Sequence, residues 1–143
     1  MSYLPQGTPL PHPNPDDQAY WDFCAKRDLR IQRCASCGRF RHPPMPFCAA
    51  CGSEQIEWAK VPGTGAVFSY TIIHHPTHPA LKAAVPFNVA VVHLDAADDV
   101  RLVSNVMDAA PAEMAVGMRV ILAWDEVEGG MFLPRFRKAG PSS

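Results

Sequence analysis

The chain is 143 residues long and 48% apolar, with 13 basic and 14 acidic residues and a formal net charge of −1. That size suits one ordinary domain or two small ones, and no apolar run approaches the roughly 20 residues of a membrane helix. The N-terminus lacks the basic and apolar regions of a signal peptide, and five cysteines, four of them in metal-ligand spacing, agree with a reducing compartment, so a globular protein of the cytosol is expected.

Residues 1–15 carry prolines at 5, 9, 11, 13 and 15, Gly7 and few large apolar side chains. Such a stretch cannot bury enough surface to fold by itself and reads as an extended arm, ordered only where it lies on another surface. Asn14-Pro15-Asp16-Asp17 then offers a capping side chain, a proline at the first helical position and acids for the positive end of the dipole, which predicts a helix over about 15–28. Tyr20, Trp21 and Cys24 share its apolar face, Cys24 as a packing residue, while Lys26, Arg27 and Asp28 look outward. Residues 29–33 alternate apolar and polar and predict a short strand.

That strand leads into Cys34-Ala35-Ser36-Cys37-Gly38, answered after a ten-residue loop by Cys48-Ala49-Ala50-Cys51-Gly52. Two CxxC pairs at this distance can place four thiolates around one tetrahedral ion at about 2.3 Å each, so Cys34, Cys37, Cys48 and Cys51 are assigned as ligands of a structural Zn²⁺. A glycine after each second cysteine suits the positive φ of a metal knuckle. A thioredoxin-like motif should open a helix within a βαβ unit and does not fit; iron fits the same ligand set, which spacing does not separate from zinc. From Cys24 to Ser53 six basic residues (Lys26, Arg27, Arg30, Arg33, Arg39, Arg41) face one acid, Asp28, a local balance of +5 that falls to about +3 once four thiolates hold a dication. This is either a solvated basic face or the footprint of an anionic partner. His42 lies between the knuckles, but four cysteines already fill the site.

After the ribbon the pattern becomes short strands punctuated by turn residues: 55–61, the turn Pro62-Gly63-Thr64-Gly65, then 66–75, 87–95, 100–108, 118–126 and 131–137, the last two joined through Glu128-Gly129-Gly130. The five strands from 66 onward, with only an Ala-rich interruption at 109–117, predict a small closed Greek-key barrel of the OB type, an SH3-like barrel being the rival that strand count hardly separates. The expected architecture is mainly β: an arm over 1–15, helix and zinc ribbon over 16–53, and an OB-fold barrel over 54–143.

The order of these pieces resembles the zinc-ribbon/OB-fold, acyl-CoA-associated proteins once grouped as domain of unknown function thirty-five. The resemblance covers about 16–138. It rests on Trp21, both Cys-x-x-Cys-Gly knuckles with Pro43-Pro44 between them, Trp58, the run from Gly63 to Thr71, Pro86-Phe87, Gly117-Met118-Arg119-Val120 and Leu133-Pro134-Arg135-Phe136. It implies a non-catalytic accessory subunit that associates with thiolase-like enzymes of acyl-CoA metabolism, including sterol side-chain aldolases, in a hetero-oligomer. The family shares no catalytic residues, and none is assigned here.

An acyl-CoA needs an apolar channel and cations for its phosphates. The loop 74–86, placed where OB-folds commonly bind ligands, supplies Leu81 and Lys82, and Arg135, Arg137 and Lys138 complete a candidate acyl-CoA set. His74, His75 and His78 form the one imidazole cluster, but Pro76 and Pro79 keep them off a rigid helix, and a polar loop is the plainer reading. Nucleic-acid binding is the alternative function, since ribbons and OB-folds both serve it. Against it, residues 66–138 hold six basic residues and eight acids, with acidic clusters at 95–99 and 125–128 that would repel phosphates.

Overall fold

A computed structural model describes residues 2–140; residue 1 of the predicted arm and residues 141–143 of the predicted barrel range lie outside it. The elements in chain order are α1 (Gln18–Ala25), β1 (Arg30–Cys34), β2 (Phe40–Arg41), β3 (Ile56–Lys60), β4 (Thr64–Ile73), β5 (Phe87–Leu94), β6 (Arg101–Ser104), β7 (Arg119–Val127) and β8 (Met131–Lys138).

The helix is shorter than the predicted 15–28, for reasons visible at both ends. Asn14 Oδ1 accepts from the N–H groups of Asp16 (2.8 Å) and Asp17 (3.1 Å), which holds 14–17 as a side-chain-closed turn ahead of the first helical residue. At the other end Arg27 takes φ 55°, Arg27 N–H donates to Cys24 C=O and Asp28 N–H to Phe23 C=O, a Schellman-type stop built on arginine instead of glycine. The Arg27 guanidinium then lies 5.1 Å from the Phe132 ring centroid. Tyr20 and Cys24 are buried as the apolar stripe requires, and burial pushes the Cys24 thiol up to about 12, which keeps it protonated and inert.

Two antiparallel sheets follow. The first runs β2-β1-β3 and carries the knuckles. Strand β3, counted from sequence with the barrel range that begins at 54, pairs along its whole length with β1, from Arg30 opposite Lys60 to Cys34 opposite Ile56. The second sheet runs β6-β5-β4-β7-β8, and a parallel bridge between Val106 and Phe136 nearly closes it. That circuit, with the first barrel strand between the second and the fourth and the third meeting the fifth in parallel, is the OB topology and separates it from an SH3-like barrel. Gly65 allows the closest approach of β4 to β5: a Cβ there would sit 2.9 Å from Val92 Cγ1 and closer still to the His93 carbonyl oxygen.

One core joins the pieces. Tyr20 and Cys24 of α1, Leu29 and Ile31 of the ribbon, and Val92 and Phe136 of the barrel belong to a single buried cluster. The arm is ordered on the chain itself: Tyr3 N–H donates to both oxygens of Asp125 (3.1 and 3.2 Å), and Gly7 N–H donates to Glu128 Oε1 (2.7 Å). Among the described residues no helix is long and apolar enough to cross a membrane.

Candidate functional site

The metal centre is built twice over from one local pattern. In each knuckle the glycine N–H donates to the first cysteine's carbonyl at 2.8 Å (Gly38 to Cys34, Gly52 to Cys48), and the first cysteine's N–H is taken by a residue just past the turn (Arg39 or Ser53, 2.9 Å). Gly38 and Gly52 adopt φ of 80° and 76°, and a Cβ at either would meet nothing within 4 Å. Backbone conformation, not space, therefore selects glycine at both. Ser36 and Ser53 hydroxyls, 2.7 Å apart, tie the two knuckles together.

All four sulfurs lie within 4.8 Å of one another, with Cys34 to Cys51 at 3.6 Å and Cys37 to Cys48 at 3.7 Å. Four sulfurs on a tetrahedron with metal bonds of about 2.3 Å must stand about 3.8 Å apart, which the two short pairs match, and a four-thiolate set leaves no open coordination position. The Cys37 N–H approaches Cys34 Sγ and the Ala50 N–H approaches Cys48 Sγ, each at 3.4 Å. The Cys37 amide is the largest influence holding the Cys34 thiol down at about 6, and the Cys51 and Ala50 amides lower Cys48 likewise. At Cys51 the Ser53 amide also acts to lower, but the neighbouring sulfurs outweigh it and raise the thiol to about 11. A dication removes that conflict by favouring all four thiolates at once. This is a closed, structural zinc site.

The inter-knuckle loop is fastened to β1 by Gln32, whose buried Oε1 accepts from Arg41 Nε (2.5 Å) and Met45 N–H (2.8 Å). His42 consequently packs under α1, its ring 5.1 Å from that of Tyr20, with Nδ1 buried and without a described partner. Desolvation lowers its pKa to about 4, with Asp17 pulling weakly the other way. The unfolded chain, with an ordinary histidine near 6.5, binds the proton first, so stability conferred by neutral His42 is complete above pH 6.5 and is lost as pH falls toward 4. We expect an acid destabilisation of about 2–3 kcal/mol across that window, readable as urea midpoints at a series of pH values. It should be absent from His42→Phe; an equal slope in that variant would assign the effect elsewhere.

Between the His42-Pro43 loop, α1 and the barrel lies a largely apolar cleft of about 680 Å³, with Tyr20, Trp21, Phe87, Leu102 and Leu133 in its walls. Leu81 of the 74–86 loop is buried and reaches this cleft. Of the four residues expected to serve acyl-CoA, only Arg135 borders it. Arg135 is 8% exposed and spends its charge internally, Nε on Asp125 Oδ2 (2.5 Å) and a second nitrogen on Asn105 Oδ1. Lys138 is paired with Glu113 (2.5 Å), while Lys82 and Arg137 have no acid partner among the described residues. His74 and His75 are exposed, and His78 Nδ1 accepts from Ala80 N–H (3.1 Å) as the cap of a short 3₁₀ turn. Of the six basic residues in the barrel, Arg119, Arg135 and Lys138 are neutralised by Asp95, Asp125 and Glu113, which works against a phosphate-tracking groove.

Fold and metal site together define a zinc-ribbon/OB-fold protein. Residues 21–57 match the ChsH2 rubredoxin-like zinc ribbon domain and residues 58–125 the ChsH2 C-terminal OB-fold domain. The chain is similar to a solved structure described as an "Ltp2-ChsH2(DUF35) aldolase", with a TM-score of 0.83 and 41% identity, covering 92% of this chain and 100% of that one. This chain belongs to the ChsH2/DUF35 family. It is 45% identical over 126 residues to a probable enoyl-CoA hydratase alpha subunit of Thermomonospora curvata, and 28% identical over 89 residues to a DUF35 domain-containing scaffold protein of Methanocaldococcus jannaschii. The first match covers 87% of this chain and the second 62%; the chain spans 38% and 61% of the length of those relatives.

Proposed function

We propose that this protein is a non-catalytic accessory subunit of a cytosolic hetero-oligomer that processes acyl-CoA in lipid metabolism, with a thiolase-like enzyme as its partner. The observation that carries this reading is the end-to-end fit to a chain of the Ltp2-ChsH2(DUF35) aldolase at 41% identity. The name of the Thermomonospora relative supports the acyl-CoA class, and that of the Methanocaldococcus relative supports a scaffolding role. The closed zinc site stiffens the ribbon and offers no position for a substrate. Lys82 and Arg137, exposed and without acid partners among the described residues, are the two members of the basic set with charge free for CoA phosphates.

Mixing the purified full chain with purified Ltp2 should give a complex larger than either component in light scattering, with one zinc per copy of this chain. The chain alone should leave enoyl-CoA thioesters unchanged. Turnover of an enoyl-CoA by the isolated chain would overturn the accessory role, and failure to associate would overturn the partnership.

A further inference from the structure

Strand β6 forms one wall of the cleft, and its backbone has two faces. Leu94 N–H donates to Val100 C=O (3.1 Å), and the register continues with Val92 opposite Leu102 and Ala90 opposite Ser104. Residues along an antiparallel strand turn their N–H and C=O groups alternately to one side and the other. Leu102 and Ser104 therefore bond β5, and Arg101 and Val103 turn their groups away from it. Residues of the same parity further on show where those groups point: Asn105 C=O accepts from Phe136 N–H (3.0 Å), and Met107 N–H donates to Phe136 C=O (2.7 Å). Ahead of that short bridge β6 and β8 diverge: Ser104 Oγ still reaches the Pro134 carbonyl, and the cleft opens beyond it, along Arg101–Val103.

The backbone groups of Arg101 and Val103 thus face the cleft without a described partner. The opposite wall offers no ladder in return, because Pro134 lacks an N–H and its C=O already accepts from Ser104 Oγ (2.8 Å). Val103 is 73% exposed on this edge, which is unusual for an unprotected strand. Arg101 stacks 3.8 Å from the Phe68 ring centroid and has no acid partner among the described residues.

We propose that the free edge of β6 is a docking strand for an extended segment of the partner enzyme. That segment pairs with Arg101 and Val103, lays apolar side chains into the cleft and sets an acidic residue against Arg101. The proposal rests on the accessory-subunit reading. Only extended main chain supplies donors and acceptors at two-residue spacing. A helix has its backbone already paired, and an acyl chain in the cleft would leave four polar groups without water or partner.

Proline at 103 removes an N–H that β5 does not use, so Val103→Pro should keep fold and zinc. It should weaken association with Ltp2 about 100-fold, whereas Val103→Ala, which keeps the N–H, should weaken it less than about tenfold. In amide exchange, the Arg101 and Val103 amides of the wild-type chain should become protected on complex formation, while those of Leu102 and Ser104 are already slow in the free chain. Equal binding by wild type and Val103→Pro, or an unprotected Val103 amide in the complex, overturns the docking strand and leaves the accessory role standing. No binding by wild type overturns the accessory reading itself. A homodimer of the chain alone that Val103→Pro dissolves would give the edge to a second copy and also overturn the proposal.

Discussion

Cys37→Ser and Cys51→Ser should each melt the ribbon, and a strong chelator should do the same to the wild-type chain. These two ligands are the informative ones because their side chains are exposed, so serine there costs little packing and the loss reports the metal bond. Cys34 and Cys48 are buried, and their substitution would mix metal loss with core damage. A structural zinc of this ligand type contributes on the order of 10 kcal/mol, as much as the whole 5–15 kcal/mol margin of a typical domain. The effect does not stop at the knuckles. Leu29, Ile31 and Val61 anchor the ribbon strands in the same cluster as Val92 and Phe136 of the barrel. The expected result is a zinc content near zero, a large fall in thermal midpoint, and loss of strand signal extending beyond residues 34–52. A variant that lost its zinc yet melted with the wild-type midpoint would show that the ribbon is held by its strands alone.

The metal site and the barrel were legible because both rest on local patterns. Four cysteines and two glycines at fixed offsets specify a knuckle pair, and the β-branched runs after Thr64 specify strands. Features set by non-local pairing were harder. Strand 56–60 has nothing in its own composition that says it returns to β1 and not to the barrel. The helix starts three residues later than the sequence predicts because an Asx turn and an N-cap use the same residues, and Asn14 serves the turn. The role of Arg135 was within reach: a tight turn at 128–130 sets Val127 opposite Met131, and continuing that register puts Asp125 opposite Leu133 and hence diagonal to Arg135. A basic residue two places along from an acid across a hairpin is a pairing candidate before it is a phosphate ligand. The cleft lay beyond local reasoning, since it forms where α1, the His42-Pro43 loop and the diverging strands β6 and β8 come together.

Removing either partner of the Asp125–Arg135 pair should destabilise the fold by about 3–5 kcal/mol, the cost of leaving one charge buried and unpaired. Their side chains are 3% and 10% exposed, so solvent cannot take over the lost contact. Arg135 also holds Asn105 Oδ1, and Asn105 Nδ2 in turn donates to Asn88 C=O (2.5 Å), so Arg135→Ala reaches across the barrel from β8 to β5. Asp125 has a second duty, accepting the Tyr3 N–H that pins the arm, with the Tyr3 ring 5.6 Å from the Arg135 guanidinium. Asp125→Ala should therefore free residues 2–11 as well, seen as rapid proteolytic cleavage there under conditions that leave the wild-type arm intact. The paired replacement Asp125→Leu with Arg135→Met removes both charges and should recover most of the lost stability, because burying an ion pair gains little over burying apolar groups of similar size. It should not recover arm protection, since the acceptor for Tyr3 is gone. Urea midpoints of the two single variants and the double variant, set beside their cleavage rates, test both halves. Single variants within about 1 kcal/mol of wild type would mean that water reaches the pair. A double variant with a protected arm would mean that the Gly7–Glu128 contact holds the arm without Asp125.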